Sequence, residues 1–283
     1  MAPSLTRAGL DLSNLDVTSP AELEAFAEFE RERRGGDPHP TYQLALSVRP
    51  ALLKRWFLQL GSFRIDESFA TSLTFLHLYL IWGYELGIGY EIRNARAAGH
   101  SRAEIADCVG VALLHSPSMG IDRVAGRTTE LLAGYDDPAT PFSWPDGWRA
   151  DPTALASGMD FSHPEATAED LDHLRGWYRR VLGEVPGSVE LLAEFRPDLL
   201  KQWRNRFEHA ATVIPPQMVA YLLLHFEVSR ISEDGIREYM LLARGLGMNR
   251  THAMDAVAFG MLYGGPAGMA AVNRVAGDIL RSW

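Results

Sequence analysis

The sequence predicts an all-α protein. Two observations carry that prediction: apolar residues recur at i, i+3 and i+4 along most of the chain, and a large part of the chain is written twice. A third supports it by absence, since no segment alternates apolar and polar residues between hairpin turns as a half-buried strand would.

The elements follow in order. Ser19 precedes AELEAFAEFERERR, which puts acids into a first turn behind a cap and then shows helical spacing. RPALLKRWFLQL, SFATSLTFLHLYLIW, EIRNARAA and SRAEIADCVGVALLH repeat that spacing. Gly99 reads as the stop of one helix and Ser101, with Glu104 three residues on, as the capping box of the next.

The second half repeats the first. SPAELEAFAEF (19–29) resembles TAEDLDHLRGW (167–177), and RPALLK (49–54) returns as RPDLLK (196–201). Each of the latter pair ends in one of the two lysines of the chain, Lys54 and Lys201. The stretch from Asn94 to His115 matches the one from Leu241 to Tyr263, pairing Gly99 with Gly247 and Asp107 with Asp255. RVAG occurs at 123–126 and at 274–277. The offset is 148 in the middle and 151 at the end, because YGGPAGMAAVN is three residues longer than HSPSMGID. The expected organisation is a first unit over 1–135, a linker over 136–166 and a second unit over 167–283. Phe142, Trp144 and Trp148 are expected to anchor the linker to a folded surface.

Composition narrows the function. The 283 residues are 47% hydrophobic, enough for a large core, and carry a net charge of −9 with the basic residues scattered among acids. With no basic stripe, no nucleic-acid partner is expected. No apolar run reaches the roughly 18 residues of a membrane span, and Met1–Asp16 lacks the apolar centre of a signal peptide. The single cysteine, Cys108, stands in an apolar context and reads as packing. A cytoplasmic protein without membrane contact is expected.

The stretch GYEIRNARAAGHSRAEIADCVGVALL resembles the carboxymuconolactone decarboxylase and alkylhydroperoxidase D superfamily. The shared order is an apolar helix, a short active-site helix, an Ala-rich segment ending in Ala-Gly, a Ser/Thr cap and a further helix, and it occurs twice. The resemblance implies two tandem alkylhydroperoxidase D-like helical units related by a pseudo-two-fold, lyase or redox chemistry, and assembly into a homodimer or homotrimer. The thiols and histidine of the family's redox branch would fall on Tyr84, Gly87 and Glu91 in the first unit and on Ser232, Gly235 and Tyr239 in the second. None of these is a cysteine, so a peroxidase is not expected, because peroxide reduction needs a low-pKa thiolate. The decarboxylase branch works with a glutamate instead, and Glu85 and Glu233 take equivalent places.

Candidate chemistry sits around an apolar helix. His77 and His225 are paired by the repeat, and His77, Tyr84 and Glu91 are spaced by seven. On one continuous helix, seven residues drift by only ~20°, which lays the three on one stripe with a rise of roughly 10 Å between neighbours. The corresponding second-unit stripe is His225, Ser232 and Tyr239. His115 closes a helix ahead of a Gly/Pro/Ser loop, opposite Tyr263. Each group also has a bland reading: a core histidine with a bonded partner, a structural carboxylate beside an arginine, a histidine on a helix dipole.

These residues predict a cofactor-independent acid–base enzyme of the lyase, decarboxylase or isomerase type, acting on a small lactone or keto acid. His77, Tyr84, Glu85, Glu91 and His115 are the expected site, with His225, Glu233 and Tyr239 as second-unit candidates. The alternatives are a non-catalytic ligand-binding or scaffold protein that lost the family's cysteines, and a metal-dependent hydrolase or oxygenase. No cofactor is expected. No metal is expected either, because His77, Glu85 and Glu91 lack the i, i+4 spacing of a helical metal pair.

Overall fold

A computed structural model of the chain describes residues 8–34, 40–62 and 68–283. The first seven residues of the stretch expected to lack a signal peptide lie outside them. Among the described residues the regular elements are all helices, with no strand. None of the helices is long and apolar enough to cross a membrane. The chain groups into two compact units, Met1–Ser68 and Phe69–Trp283.

The first unit holds α1 (Pro20–Arg34), α2 (Pro40–Val48) and α3 (Ala51–Ser62). Phe26, Tyr42 and Leu53 are buried at its centre with Leu10, and Phe29, Trp56 and Phe57 pack around them. Phe26 meets Tyr42 and Phe57 edge to face, at 5.4 and 5.3 Å. Ser19 caps α1 as expected: its hydroxyl accepts from the Glu22 N–H, and Glu22 takes the Ser19 N–H in return. Lys54 is fully buried and donates to the carbonyls of Asn14 and Val17, with its ammonium 2.5 Å from Glu22.

The second unit contains α4 (Thr71–Trp82), α5 (Glu85–Ala98), α6 (Arg102–Leu113), α7 (Met119–Ala133), α8 (Ala168–Val181), α9 (Gly187–Phe195), α10 (Pro197–Glu208), α11 (Pro216–Arg230), α12 (Glu233–Gly245) and α13 (Arg250–Arg281). Helix starts recur with the sequence repeat: Glu85 against Glu233 and Arg102 against Arg250. So does the lysine. Lys201 is buried against Asp170 at 2.8 Å and donates to the Glu165 carbonyl. Asp170 closes a capping box with Thr167, as Glu22 does with Ser19. The two lysines therefore do one job twice, tying the start of a leader helix to the third helix of its module.

α4 and α11 form the heart of this unit. α4 packs on α5, α6, α7 and α11, and α11 packs on α12, α13 and α6. Both are apolar around most of their circumference because neighbours cover them on most sides. The apolar residues of α4 are thus largely covered within the chain. α6 reaches α11 through Asp107, whose carboxylate accepts the N–H groups of Thr212, Val213 and Ile214 at 2.7, 2.5 and 2.9 Å. These amides lead into Pro215 and Pro216, which have no N–H to offer. The loop expected after Tyr263 is a kink: Gly265 leaves helical geometry and Pro266 restarts the helix, so α13 runs on to Arg281.

The segment between the two copies is anchored as the aromatics suggested. Phe142 stacks on His100 at 3.9 Å, the Trp144 indole donates to Glu104 at 2.8 Å, and Trp148 is buried against Phe69 and His252.

Candidate functional site

The expected stripe depends on one uninterrupted helix from His77 to Glu91, and the backbone breaks it. Gly83 takes a left-handed conformation (φ 70°, ψ 38°) and ends α4, and Tyr84 becomes the residue ahead of α5. A residue with a Cβ strains at that φ, and a Cβ there would also stand 2.6 Å from the Gly120 carbonyl oxygen. The seven-residue spacing therefore loses its meaning at Gly83.

The candidates separate into three places. His77 is fully buried on α4, edge-on to His115 at 5.9 Å and to Phe226 of α11 at 6.0 Å. Tyr84 packs on Tyr79 at 5.1 Å, and Glu91, buried on α5, accepts from Asn94 at 3.3 Å. Glu85 and Glu233 are exposed in the first turns of α5 and α12, where a carboxylate suits the helix dipole, and Glu233 pairs with Arg274. The structure joins His77 to His115 and leaves Glu85 at the surface.

His77, His115 and His225 are held as neutral imidazoles. Burial, then the proximity of His115 and His225, holds His77 well below the usual histidine range. Burial takes His225 down to about 3, and burial together with Arg230 takes His115 to about 4. Among the described residues neither ring nitrogen of His77 or His225 has a hydrogen-bond partner. The same residues contain no group of three His, Cys, Asp or Glu side chains placed to hold a metal ion.

The ring-bearing residues paired by the repeat cross between copies. His115, after α6, lies against Phe226 of α11 at 4.4 Å. Tyr263, in α13, lies against Trp82 of α4 at 4.9 Å, and its hydroxyl is 3.3 Å from that of Tyr79.

The chemically distinctive place is on α12. Glu238 and Tyr239 line a hollow of about 10 Å³ with Tyr178, Trp203 and Arg204, room for about one water. Both are part-buried. Burial, then the neighbouring Glu227, raises the Glu238 carboxyl to about 7, against a smaller opposing pull from Arg204. Burial, then Glu238 and Glu227, pushes the Tyr239 phenol well up, so it stays protonated. Glu227 itself is buried on α11 and takes Arg230 at 2.8 Å. Gly235 makes room for it, since a Cβ there would stand 2.2 Å from the Glu227 carboxylate.

Arg204 forms the wall of the hollow. Its guanidinium stacks on Trp177 at 3.8 Å, pairs with Glu208 at 2.7 Å and donates to the Leu155 carbonyl. It is fully buried and fixed on several sides, which makes it a rigid positive charge beside Glu238.

Of this constellation only Tyr239 is among the expected residues. Glu227, Glu238 and Arg204 are additions from the structure. One signal for Glu227 lies in the sequence: it is the single acid in PQMVAYLLLHFEVSR, where an unpaired carboxylate is expensive to bury. The repeat offers another, because Glu227 and Glu238 align with Tyr79 and Tyr90, so two phenols in one copy stand where the other has two carboxyls.

Compared with known proteins, the chain matches no family model, no characterised relative and no solved structure. Its class therefore rests on its own geometry: an all-helical protein with repeated helix boundaries and a titratable carboxyl in its second copy.

Proposed function

We propose that the chain is a cofactor-independent acid–base enzyme of the lyase, decarboxylase or isomerase type, acting on a small lactone or keto acid, and that its working site is the hollow at Glu238. One observation carries this: a part-buried carboxyl held at about 7 beside a phenol and a fixed arginine. A group that is half protonated at neutrality both gives and takes a proton, which is the requirement for general acid–base work. Tyr239 would donate to a developing oxyanion, and Arg204 would supply a fixed positive field. The same reading takes the two copies as carboxymuconolactone decarboxylase-like units related by a pseudo-two-fold. The recurring helix starts, the paired lysine bridges and the crossed His115 and Tyr263 support it.

The size of the hollow favours a second reading, a ligand-binding or scaffold protein without turnover, because room for one water holds no substrate until Trp203 and Tyr239 move aside. Incubation of the purified chain with γ-lactones and β-keto acids, followed by mass spectrometry, separates the two. The enzyme reading expects product, a pH–rate profile with an apparent pKa near 7 and loss of both in Glu238→Gln at unchanged helical circular dichroism. Absence of turnover across both classes leaves the scaffold reading, and full activity in Glu238→Gln overturns the placement of the site at Glu238.

A further inference from the structure

The end of the segment between the copies repeats the start of the chain. AGLDLS (8–13) returns as SGMDFS (157–162), at an offset of 149. The backbone repeats with the letters. Gly9 and Gly158 both take a left-handed φ, 73° and 88°. The N–H groups of Asp11 and Asp160 both donate at 2.8 Å to the capping acid of the helix that follows, Glu22 or Asp170. Within this shared frame Ser157 stands where the first copy has Ala8.

Ser157 is buried and gives its N–H, at 3.0 Å, and its hydroxyl to Oε1 of Glu208. The same oxygen accepts from Nε of Arg204 at 2.7 Å. Two residues before Ser157, the Leu155 carbonyl accepts from Nη2 of that guanidinium. The Trp177 ring on which Arg204 stacks donates its indole N–H to the Ala154 carbonyl at 3.2 Å. Residues 154–157 therefore brace Arg204 from several directions. The first copy has Phe57 in place of Arg204 and Gly61 in place of Glu208. Serine, acid and arginine are thus missing together from the copy that has Tyr90 in place of Glu238. The buried lysine bridges, by contrast, occur in both copies. The brace occurs only beside the titratable carboxyl.

We propose that Ser157 and Glu208 are positioning residues of the candidate site, through which the segment between the copies holds the Arg204 guanidinium beside the Glu238 carboxyl. The inference rests on the acid–base reading of Glu238. Neither residue lines the hollow, so both act through Arg204. The groups that act on Glu238 are Glu227 of α11, Arg204 of α10 and Asp234 of α12, and Tyr178 of α8 and Tyr239 line the same hollow. On α13, Arg274 and Asp278 are engaged with Glu233 and Arg237. An opposite charge held close favours the carboxylate, so Arg204 pulls against burial and Glu227. A guanidinium released toward water loses that pull, and Glu238 then holds its proton more tightly.

Carbon-13 NMR of the intact chain, labelled at the glutamate carboxyl carbon, reads this proton affinity without any turnover. The Glu238 resonance is the one missing from Glu238→Gln, and in the wild type it is expected to titrate near 7. Ser157→Ala exchanges one neutral residue for another, so it moves Glu238 only by moving Arg204. The expected effect is a proton affinity raised roughly 3-fold, a part of the roughly 10-fold or more that one close opposite charge is worth. Ser157→Thr keeps the hydroxyl and is expected to return the wild-type value. Should Ser157→Ala lose its helical circular dichroism, Ser157→Cys is read in its place. A Glu238 that titrates near 7 and stays there or moves down in Ser157→Ala overturns the brace and leaves the acid–base site standing, as does a rise that Ser157→Thr shares in full. A wild-type Glu238 that titrates near 4.5 overturns the acid–base reading itself, and this inference with it.

Discussion

Replacing Glu238 by Gln removes one ionisation and little else. The amide has nearly the shape of the acid and keeps polar atoms in the hollow, but it cannot become an anion. In the folded chain the carboxyl is held at about 7, by burial first and then by Glu227, whereas an ordinary glutamate titrates at 4.5. The folded state therefore binds more protons than the unfolded one between those values. Its stability falls as pH rises through that window and stays lowered above it. At about 1.4 kcal/mol for each tenfold change in proton affinity, the gap sets a ceiling of about 3 kcal/mol. Glu238 is only part-buried, and about 2 kcal/mol is expected after solvent screening. Urea unfolding of both proteins at several pH values reads the effect. Glu238→Gln should match the wild type near pH ~4.5 and exceed it by about 2 kcal/mol above neutrality. His77, His115 and His225 contribute the opposite slope, because their folded pKa values lie below 6.5 and acid favours the unfolded state. They are common to both proteins and cancel in the difference. A difference that is flat with pH, or that shrinks as pH rises, refutes the assignment of Glu238 as the buried neutral acid.

Four further outcomes follow from particular residues. Lys201→Met strands the buried Asp170 carboxylate and is expected to cost about 3–5 kcal/mol in thermal or urea unfolding, with part of the loss recovered in the double variant Lys201→Met/Asp170→Asn. Gly235→Ala must displace the Glu227 carboxylate and should lose about 1–3 kcal/mol. Gly176→Ala, in α8 with open space at its Cβ, should instead gain about 0.5–1 kcal/mol in the same assay. Cys108 is buried, donates to the Leu73 carbonyl and has its thiol pushed up by burial, so a disulfide reagent should label it only after unfolding, and Cys108→Ser should keep any activity.

Much of this protein was legible without coordinates. Periodicity and cap chemistry fixed the helices from Ser19, Ser101 and Thr167 onward, because a capping box is a local signal that needs no tertiary partner. The recurring starts of α5 and α12 and of α6 and α13 were legible because they follow repeated letters. The lone cysteine read as packing for the same reason its neighbours are apolar. Phe142, Trp144 and Trp148 announced an anchored segment, since large rings in a Pro-rich stretch need a surface to cover them.

The site was not legible in the same way. Whether His77, Tyr84 and Glu91 share a face depends on a single residue between them, and the left-handed turn at Gly83 redirects everything that follows. Glu85 and Glu91, six apart in one helix, end at the surface and in the interior, and only the helices that cover α5 decide which is which. Glu227 and Glu238 meet because α11 packs on α12 with Gly235 leaving room between them. Nothing in their separation along the chain announces that approach. Sequence alone determined which segments become helices and where they start, because those choices are settled within a few residues of backbone hydrogen bonding. The tertiary structure alone decided which carboxyls lose their water and gain a like-charged neighbour, because desolvation and Coulomb energy depend on distances that only packing sets.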